Sequence, residues 1–319
     1  MADYFLGIDL GGTKILTAVA DEEGNILAKI KLPTEEHKGK DKVIDNIIVS
    51  INKVLNKVNF NYEDIVRMGV GIPGPLNIEE GLVYQAPNLG WENVPISEIL
   101  EEKTGIPVNL ENDANAAALG EKWFGAGQGI DNLLYITIST GIGGGIIIDR
   151  KIYHGANDGA GEIGHMVIEP NGPLCGCGNY GCLEALASGT AISRMGKEAV
   201  EKHQNTIISE LSNGNLDSID GGIIAKAAKM GDEAAKEIWV KAGHYLGIGL
   251  ANLLNIFNPE MIILGGGIMK AGDLIMEPMQ KSLKKYSFEN AFNSVQIRQA
   301  VLGDEVGVKG AIAVAIGRR

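Results

Sequence analysis

The sequence predicts an α/β protein of two domains, and three observations predict it. An apolar strand, a glycine-rich turn and a second strand occur at residues 4–20 and again at 133–149, about 130 residues later. Strand-like runs alternate with helix-like ones along most of the chain. Over 319 residues, 45% hydrophobic and 21% charged content is the balance of a globular chain long enough for two buried cores.

The elements follow in order. YFLGID (4–9) is an apolar run ending on an acid, LGGTK bends the chain, and ILTAVA, a DEEGN turn and ILAKIKL give two more strands. A helix is expected near 41–57, a strand at VRMGVGIP (66–73) and a loop at PGPLN (73–77). A helix near 96–103, a strand at VNLE (108–111) and a small-residue helix at 114–124 come next. LLYITI (133–138), the turn STGIGGG and the strand IIID then repeat the opening pattern, and RKIYHG leads out. The rest turns helical at 189–203, 222–230 and 232–257, followed by strand MIILGGG (261–267), a helix at 273–285, a strand at 295–301 and a last helix at 305–317. One glycine turn says little, because a hairpin needs glycine on steric grounds. Two at equivalent places, with backbone N–H groups able to face an anion, suggest a nucleotide clamped between two domains. Neither turn, nor the glycines after 264, has the GxxxxGK[ST] or dinucleotide spacing.

A net charge of −12 repels phosphate backbones and anionic lipid, so neither nucleic acid nor a membrane surface is expected as a main partner. MADYFLGIDL lacks the pattern of a secretory signal, and no run of about 18 uninterrupted apolar residues suits a membrane span. The expected compartment is the cytoplasm, where stable disulfides are improbable. All three cysteines fall within CGCGNYGCLE (175–184), which points to metal or redox chemistry. Cys175 and Cys177 converge across a glycine, Gly178 and Gly181 let Cys182 join them, and a tetrahedral site needs one more ligand. Of the histidines 37, 154, 165, 203 and 244, only His165 lies a short loop upstream, so Cys3His is the economical closure, with no position left open for water. The alternative is three buried thiols packing as small hydrophobes, against which the interleaved glycines argue. Asp113 ends an extended segment and starts a helix, which reads as an N-cap and nothing more until a larger pattern is considered.

GIDLGGTK, GIPGP, ENDANAAALGE, STGIGGGII, EIGHM, CGCGNYGCLE and ILGGG occur in that order. Together they resemble the ROK family of sugar kinases and repressors, within the actin/hexokinase-like ATPase superfamily, from about residue 4 to the C-terminus. Within it the sequence is most similar to bacterial ATP-dependent glucokinases. The resemblance implies ribonuclease H-like duplicated domains with a cleft between them: a small one of residues 1–112 plus 303–319, and a large one of 113–302 carrying a zinc loop. It implies structural zinc on His165, Cys175, Cys177 and Cys182. It implies phosphorylation of glucose at the 6-hydroxyl by Mg·ATP, or of N-acetylmannosamine, N-acetylglucosamine or fructose, with closure around the sugar excluding water. Repressors of the family carry an N-terminal DNA-binding domain, whereas here the first strand is expected at about Tyr4, which favours a kinase over a non-catalytic sugar-sensing regulator.

Residue by residue, the resemblance makes Asp113 the catalytic base. It gives the sugar Gly74, Asn112, Asp113, Glu162, His165 and Glu184, with Asn88 and Trp91 as further candidates. Gly11, Gly12, Thr13 and Lys14 match the first phosphate loop, and Thr140, Gly141, Gly143 and Gly144 the second. Asp9 would hold Mg²⁺ through water, and Gly265 and Gly266 would admit the adenosine. The plain reading of each acid stays beside these roles: Glu162 and Glu184 as surface charge, Asp9 as a strand-end acid making a turn. The metal would act as a staple that brings Glu162, His165 and Glu184 onto one ligand, His165 using one ring nitrogen for zinc and the other for sugar. Family members form dimers or tetramers, so a homo-oligomer is expected.

Overall fold

The structure is a computed structural model that describes residues 3–202 and 206–318. It opens with strands β1 (Tyr4–Leu10), β2 (Lys14–Asp21) and β3 (Ile26–Pro33), then helix α1 (Lys40–Val58) and strand β4 (Ile65–Ile72). Short strands β5 (Leu76–Asn77), β6 (Leu82–Ala86) and β7 (Trp91–Val94) precede α2 (Ile96–Thr104), β8 (Val108–Asn112) and α3 (Asp113–Phe124). Strands β9 (Leu133–Ile138), β10 (Ile142–Ile148) and β11 (Lys151–Ile152) follow, then helices α4 (Leu183–Ala187), α5 (Gly189–Lys202), α6 (Ile207–Leu211), α7 (Gly221–Lys229) and α8 (Glu233–Phe257). The chain finishes with β12 (Met261–Gly265), α9 (Asp273–Tyr286), α10 (Glu289–Ser294), β13 (Gln296–Gln299) and α11 (Val306–Ile316). The expected end of α5 at His203 lies outside the described residues.

The two large sheets have the same strand order, β3-β2-β1-β4-β8 and β11-β10-β9-β12-β13. The duplication expected from two glycine turns is therefore a duplication of whole sheets. Three details differ from the sequence reading. STGIGGG is mostly strand: β10 begins at Ile142, so the turn is confined to Ser139–Gly141, and Gly143 and Gly144 lie in the ladder. Gly145 in the same strand lets α3 approach closely, since a Cβ there would stand 2.5 Å from that of Ala118. The loop region after residue 73 forms a third, three-stranded sheet β5-β6-β7. Helices α4, α6 and α10, each of only five or six residues, are too short to show a 3.6-residue period.

The chain forms two compact units. Unit 1 takes in the described residues of Met1–Tyr135, Gly145–Gly161 and Ala300–Arg319; unit 2 takes in Ile136–Gly144 and Glu162–Gln299. In unit 1, β1 and β2 pair antiparallel, while β4 and β8 add parallel to β1. One face of this sheet is covered by α1, whose Val43, Ile44, Ile47, Ile51, Val54 and Leu55 are all buried at helical spacing. Each such side chain contributes on the order of 2 kcal/mol by leaving water. On another side of the sheet, Leu16, Ala18 and Ala20 of β2 pack with Val308 and Ile312 of α11. That helix is apolar almost all round because β1, β4 and α3 also pack on it. The approach is close enough that a Cβ on Gly310 would sit 1.8 Å from the Ala116 carbonyl oxygen. In unit 2, α8 is the central helix, with α4, α5, α7 and α9 packed against it.

Candidate active site

In unit 1 the parallel strands β1, β4 and β8 end side by side, with Asp9 registered to Gly71 and Ile72 to Asn112. The carboxyl ends of parallel strands are where open α/β sheets gather ligands. Here they gather Asp9, the turn Gly11–Thr13 with Lys14, and the Asn112–Asp113 pair. The turn is closed by the Gly11 N–H donating to the Lys14 carbonyl at 2.9 Å and by the Thr34 hydroxyl donating to the Gly11 carbonyl at 2.7 Å. Gly12 lies against Asn88, whose Cβ and carbonyl oxygen would be 3.2 Å from an added methyl. Asn88 is exposed, whereas Trp91 is 2% exposed and belongs to the hydrophobic core, so of the two only Asn88 presents itself to a ligand.

Burial pushes the Asp9 carboxyl up to about 6; the nearby Lys14 charge works against that shift and the Asp113 charge adds to it. Asp9 and Asp113 therefore feel one another's charge. The Asp9 carboxylate also abuts the first turn of α11, where a Cβ on Gly307 would collide with it at 2.6 Å. Gly307 is a residue that sequence reading missed, because EVGVKG resembles any helix start.

The cap of α3 is Asn112, not Asp113. The Asn112 side chain accepts hydrogen bonds from the Ala114 N–H at 2.9 Å and the Asn115 N–H at 3.3 Å. Its amide also donates to the carbonyl of Gly74 at 3.3 Å. Gly74 is required to be glycine there, with φ at 102° and Gln85 oxygen 2.1 Å from where a Cβ would lie. Asp113 is thus the first helical residue, exposed, with Oδ1 accepting from the Ala114 N–H at 2.8 Å. Behind the pair, Glu111 is fully buried and hydrogen-bonded to His154 Nε2 at 2.8 Å, a contact no spacing rule foretells.

In unit 2, the ligand atoms of His165, Cys175, Cys177 and Cys182 lie within 4.8 Å of one another. A Cys175–Gly178 turn and the bridge Leu174↔Tyr180 fold the knuckle, and the bridge Val167↔Cys182 brings the last thiol back beside His165. Sulfur atoms of Cys177 and Cys182 are 3.7 Å apart, and Cys175 sulfur is 3.6 Å from His165 Nδ1. A tetrahedron's edge is about 1.63 times its bond length, so zinc–sulfur bonds of about 2.3 Å place sulfurs roughly 3.75 Å apart. The four residues fit a tetrahedral zinc ion. Cys175 and Cys182 are nevertheless buried, so glycine-rich surroundings do not keep these thiols exposed; convergence, rather than exposure, separates a ligand set from packing. Burial pushes the Cys182 thiol up to about 12 and raises that of Cys175, while the Asn179 backbone N–H lowers that of Cys177. A bound cation would displace those protons.

His165 Nε2 points the other way, 3.9 Å from Glu162 Oε2. Glu184 joins the cluster to the second glycine turn: Oε1 is 3.8 Å from Cys175 sulfur and Oε2 accepts the Ile142 N–H at 2.9 Å. Gly141 is where that carboxylate rests, with Oε2 at 2.3 Å from an added Cβ. Gly189 and Thr190, at the start of α5, donate to the carbonyls of Ser139 and Thr140 at 2.7 and 3.1 Å. Beside this turn lies a cavity of about 640 Å³ lined by Thr140, Lys197, Asp217, Gly221, Trp239 and Lys270, among others. Of the residues assigned to nucleotide from sequence, Thr140 lines it; Gly266 takes φ of 92° and packs on the Ile138 carbonyl, and the chain enters the cavity wall one residue later, at Gly267. Sequence reading missed Lys197, Asp217 and Gly221. The one signal was Asp220-Gly-Gly, where Asp220 caps α7 by accepting from the Ile223 N–H.

Residues 5–318 match the ROK family profile. A glucokinase of Halalkalibacterium halodurans is 38% identical over 313 residues, covering 96% of this chain and 93% of that protein. The xylose repressor of Caldicellulosiruptor bescii is 37% identical over 311 residues, covering 98% of this chain and 77% of that one. Among solved structures, a ROK family glucokinase from Streptomyces griseus in complex with glucose and AMPPNP superposes with a TM-score of 0.82 at 36% identity, covering 99% of each chain. Among the described residues, no helix is long and apolar enough to cross a membrane.

Proposed function

The chain belongs to the ROK family, and from that premise we propose that it is an ATP-dependent hexokinase acting on the 6-hydroxyl of glucose. The observation that carries the reading is the division of labour at the start of α3. Asn112 caps the helix and Asp113, its first residue, projects exposed beside it, so a carboxylate stands at the helix start where a substrate hydroxyl can approach. Similarity to the glucokinase solved with glucose and AMPPNP supports the same choice of ligands.

The sugar oxygen attacks the γ-phosphorus, its new bond forms as the bond to the β-phosphate oxygen breaks, and ADP leaves. Asp113 orients the hydroxyl and takes its proton late, a task that needs position more than basicity. Asn112, Gly74, Glu162, Glu184 and His165 Nε2 hydrogen-bond the remaining hydroxyls, with both donors and acceptors as a polyol requires. The nucleotide is assigned to the Thr140 turn with Gly141, Gly143 and Gly144, to the stretch after Gly265 and to the cavity of unit 2, and the triphosphate also to Gly11–Lys14. Asp9 would hold Mg²⁺, which supplies charge neutralisation at the phosphates. Zinc on His165, Cys175, Cys177 and Cys182 would be structural, a cross-link with every position taken by protein.

Steady-state kinetics across hexoses and phosphoryl donors tests the reading. Glucose with ATP should give the highest kcat/KM, and Asp113→Asn should cut kcat by roughly 10³-fold while sugar binding persists. Substantial turnover by that variant refutes the assignment. The 37% identity to a xylose repressor favours a second reading, a sugar-sensing regulator. Purified protein that binds a sugar and transfers no phosphate to it would establish that instead.

A further inference from the structure

Glu111 is the last residue but one of β8, is 0% exposed, and yet is an acid. An isolated carboxylate buried to this degree is costly, so its partners indicate what it is for. Oε1 accepts the backbone N–H of Asn112 at 3.0 Å and the side-chain amide of Asn115 at 3.1 Å. These two donors bracket Asp113, one on the residue before it and one on the second residue after it. Oε2 takes the third hydrogen bond, 2.8 Å from His154 Nε2. His154 comes from a different part of the chain, two residues past β11, and its own carbonyl accepts the Ala160 N–H at 3.0 Å.

We infer that His154 and Glu111 are positioning residues for the reaction: His154 locks the Glu111 carboxylate, and Glu111 locks the backbone from which Asn112 and Asp113 project. The inference rests on Asp113 being the catalytic group proposed above. Stability alone does not explain the arrangement. A buried charged group with its partners is often no better for stability than apolar side chains of the same volume, whereas Glu111 spends two of its hydrogen bonds on the residues flanking Asp113. With His154 removed, Oε2 loses its 2.8 Å partner inside the protein. Glu111 must then turn to find another partner, and its hold on the Asn112 N–H is released. A shift of about 1 Å in a reacting group is enough to cost on the order of 100-fold in rate.

The test compares His154→Ala, His154→Gln and Glu111→Gln in the full chain. Glutamine can present an N–H where His154 Nε2 stands, so His154→Gln should keep kcat within about threefold of wild type. His154→Ala should lower kcat by about 10–100-fold with the KM for ATP unchanged. Glu111→Gln turns an amide toward either His154 or Asn112 and should lower kcat comparably, which gives a reading even if the alanine variant does not fold. Full kcat in Glu111→Gln, or in a folded His154→Ala, overturns the inference. So does a folded His154→Gln as impaired as the alanine form. Crystal structures of the same variants read the position of Asp113 without turnover: it should be displaced in Glu111→Gln and unmoved in His154→Gln, and an unmoved carboxylate in all of them counts against the proposal. Should wild type itself phosphorylate no sugar, the functional reading fails, while the crystallographic comparison still decides the positioning.

Discussion

The two sheets share one strand order, but their acids are held by different means. In unit 1, Asp9 leans on the first turn of α11, Asn112 caps α3, and Glu111 grips the Asn112 backbone; every hold is a hydrogen bond or a helix end. In unit 2, Glu162 and His165 lie beside, and Glu184 in the first turn of α4 after, a loop whose own folding centres on four metal-ligand atoms within 4.8 Å. The difference teaches how each half should fail. Hydrogen-bonded acids can be loosened one at a time and rescued by isosteres. A ligand set behaves as a unit, since three ligands bind a metal far less well than four.

The largest stability effect is therefore expected from Cys182→Ser, at the thiol with no solvent exposure. Bound zinc should fall from one per chain to near zero, and the midpoint of thermal unfolding should drop by roughly 10 °C or more, as a loss of several kcal/mol implies. Sugar affinity should fall with it, because Glu184 and His165 lose their frame. Chelated wild type should reproduce both changes by metal analysis, calorimetry and sugar titration. A stable, sugar-binding, zinc-free protein breaks the comparison at its root.

An intermediate effect separates the two glycine turns. Gly141→Ala places a methyl 2.3 Å from Glu184 Oε2, so the carboxylate must move off the Ile142 N–H. Sugar KM should rise about tenfold, the loss of one charge-assisted hydrogen bond. Gly11→Ala meets nothing closer than the Lys14 oxygen at 3.4 Å, an ordinary contact, and should leave thermal stability nearly unchanged. Equal effects on stability and sugar KM at the two positions would mean that the turns are equivalent after all.

Much of this was legible in the chain. Strands of six or more residues announce themselves by apolar runs and the cysteine cluster by spacing, whereas the five-residue β6, LVYQA, carries too mixed a pattern to be read. The strand order, however, depends on which runs pair, which no local pattern carries. Asp113 was misplaced by one position because Asn112 and Asp113 are both good caps; only the hydrogen bonds of Asn112 to Ala114 and Asn115 decide between them. Glu111 sits in a motif that sequence reading picked out, but its partner His154 is 43 residues away and the two meet only in the fold. Gly307 is invisible for the same reason, being glycine on account of Asp9, some three hundred positions earlier.

The smallest effect sharpens the description of Asp9. Its carboxyl titrates near 6 in the folded chain against 3.8 as its ordinary value, chiefly through burial. With the folded value raised, the folded state holds the proton more tightly between those two pH values. The benefit is fully present below about pH 4, fades as pH rises through 6, and is gone above it. A shift of about two units corresponds to roughly 3 kcal/mol. Asp9→Asn cannot ionise, so it should be more stable than wild type by up to that amount at pH 8 and no more stable at pH 4. Urea unfolding of both proteins at the two pH values measures the difference. The Asp113 charge adds to the Asp9 shift, so Asp113→Asn should narrow the gap at pH 8 without abolishing it. A gap independent of pH would mean that burial does not govern this acid, and that the end of β1 is wetter than its packing against α11 implies.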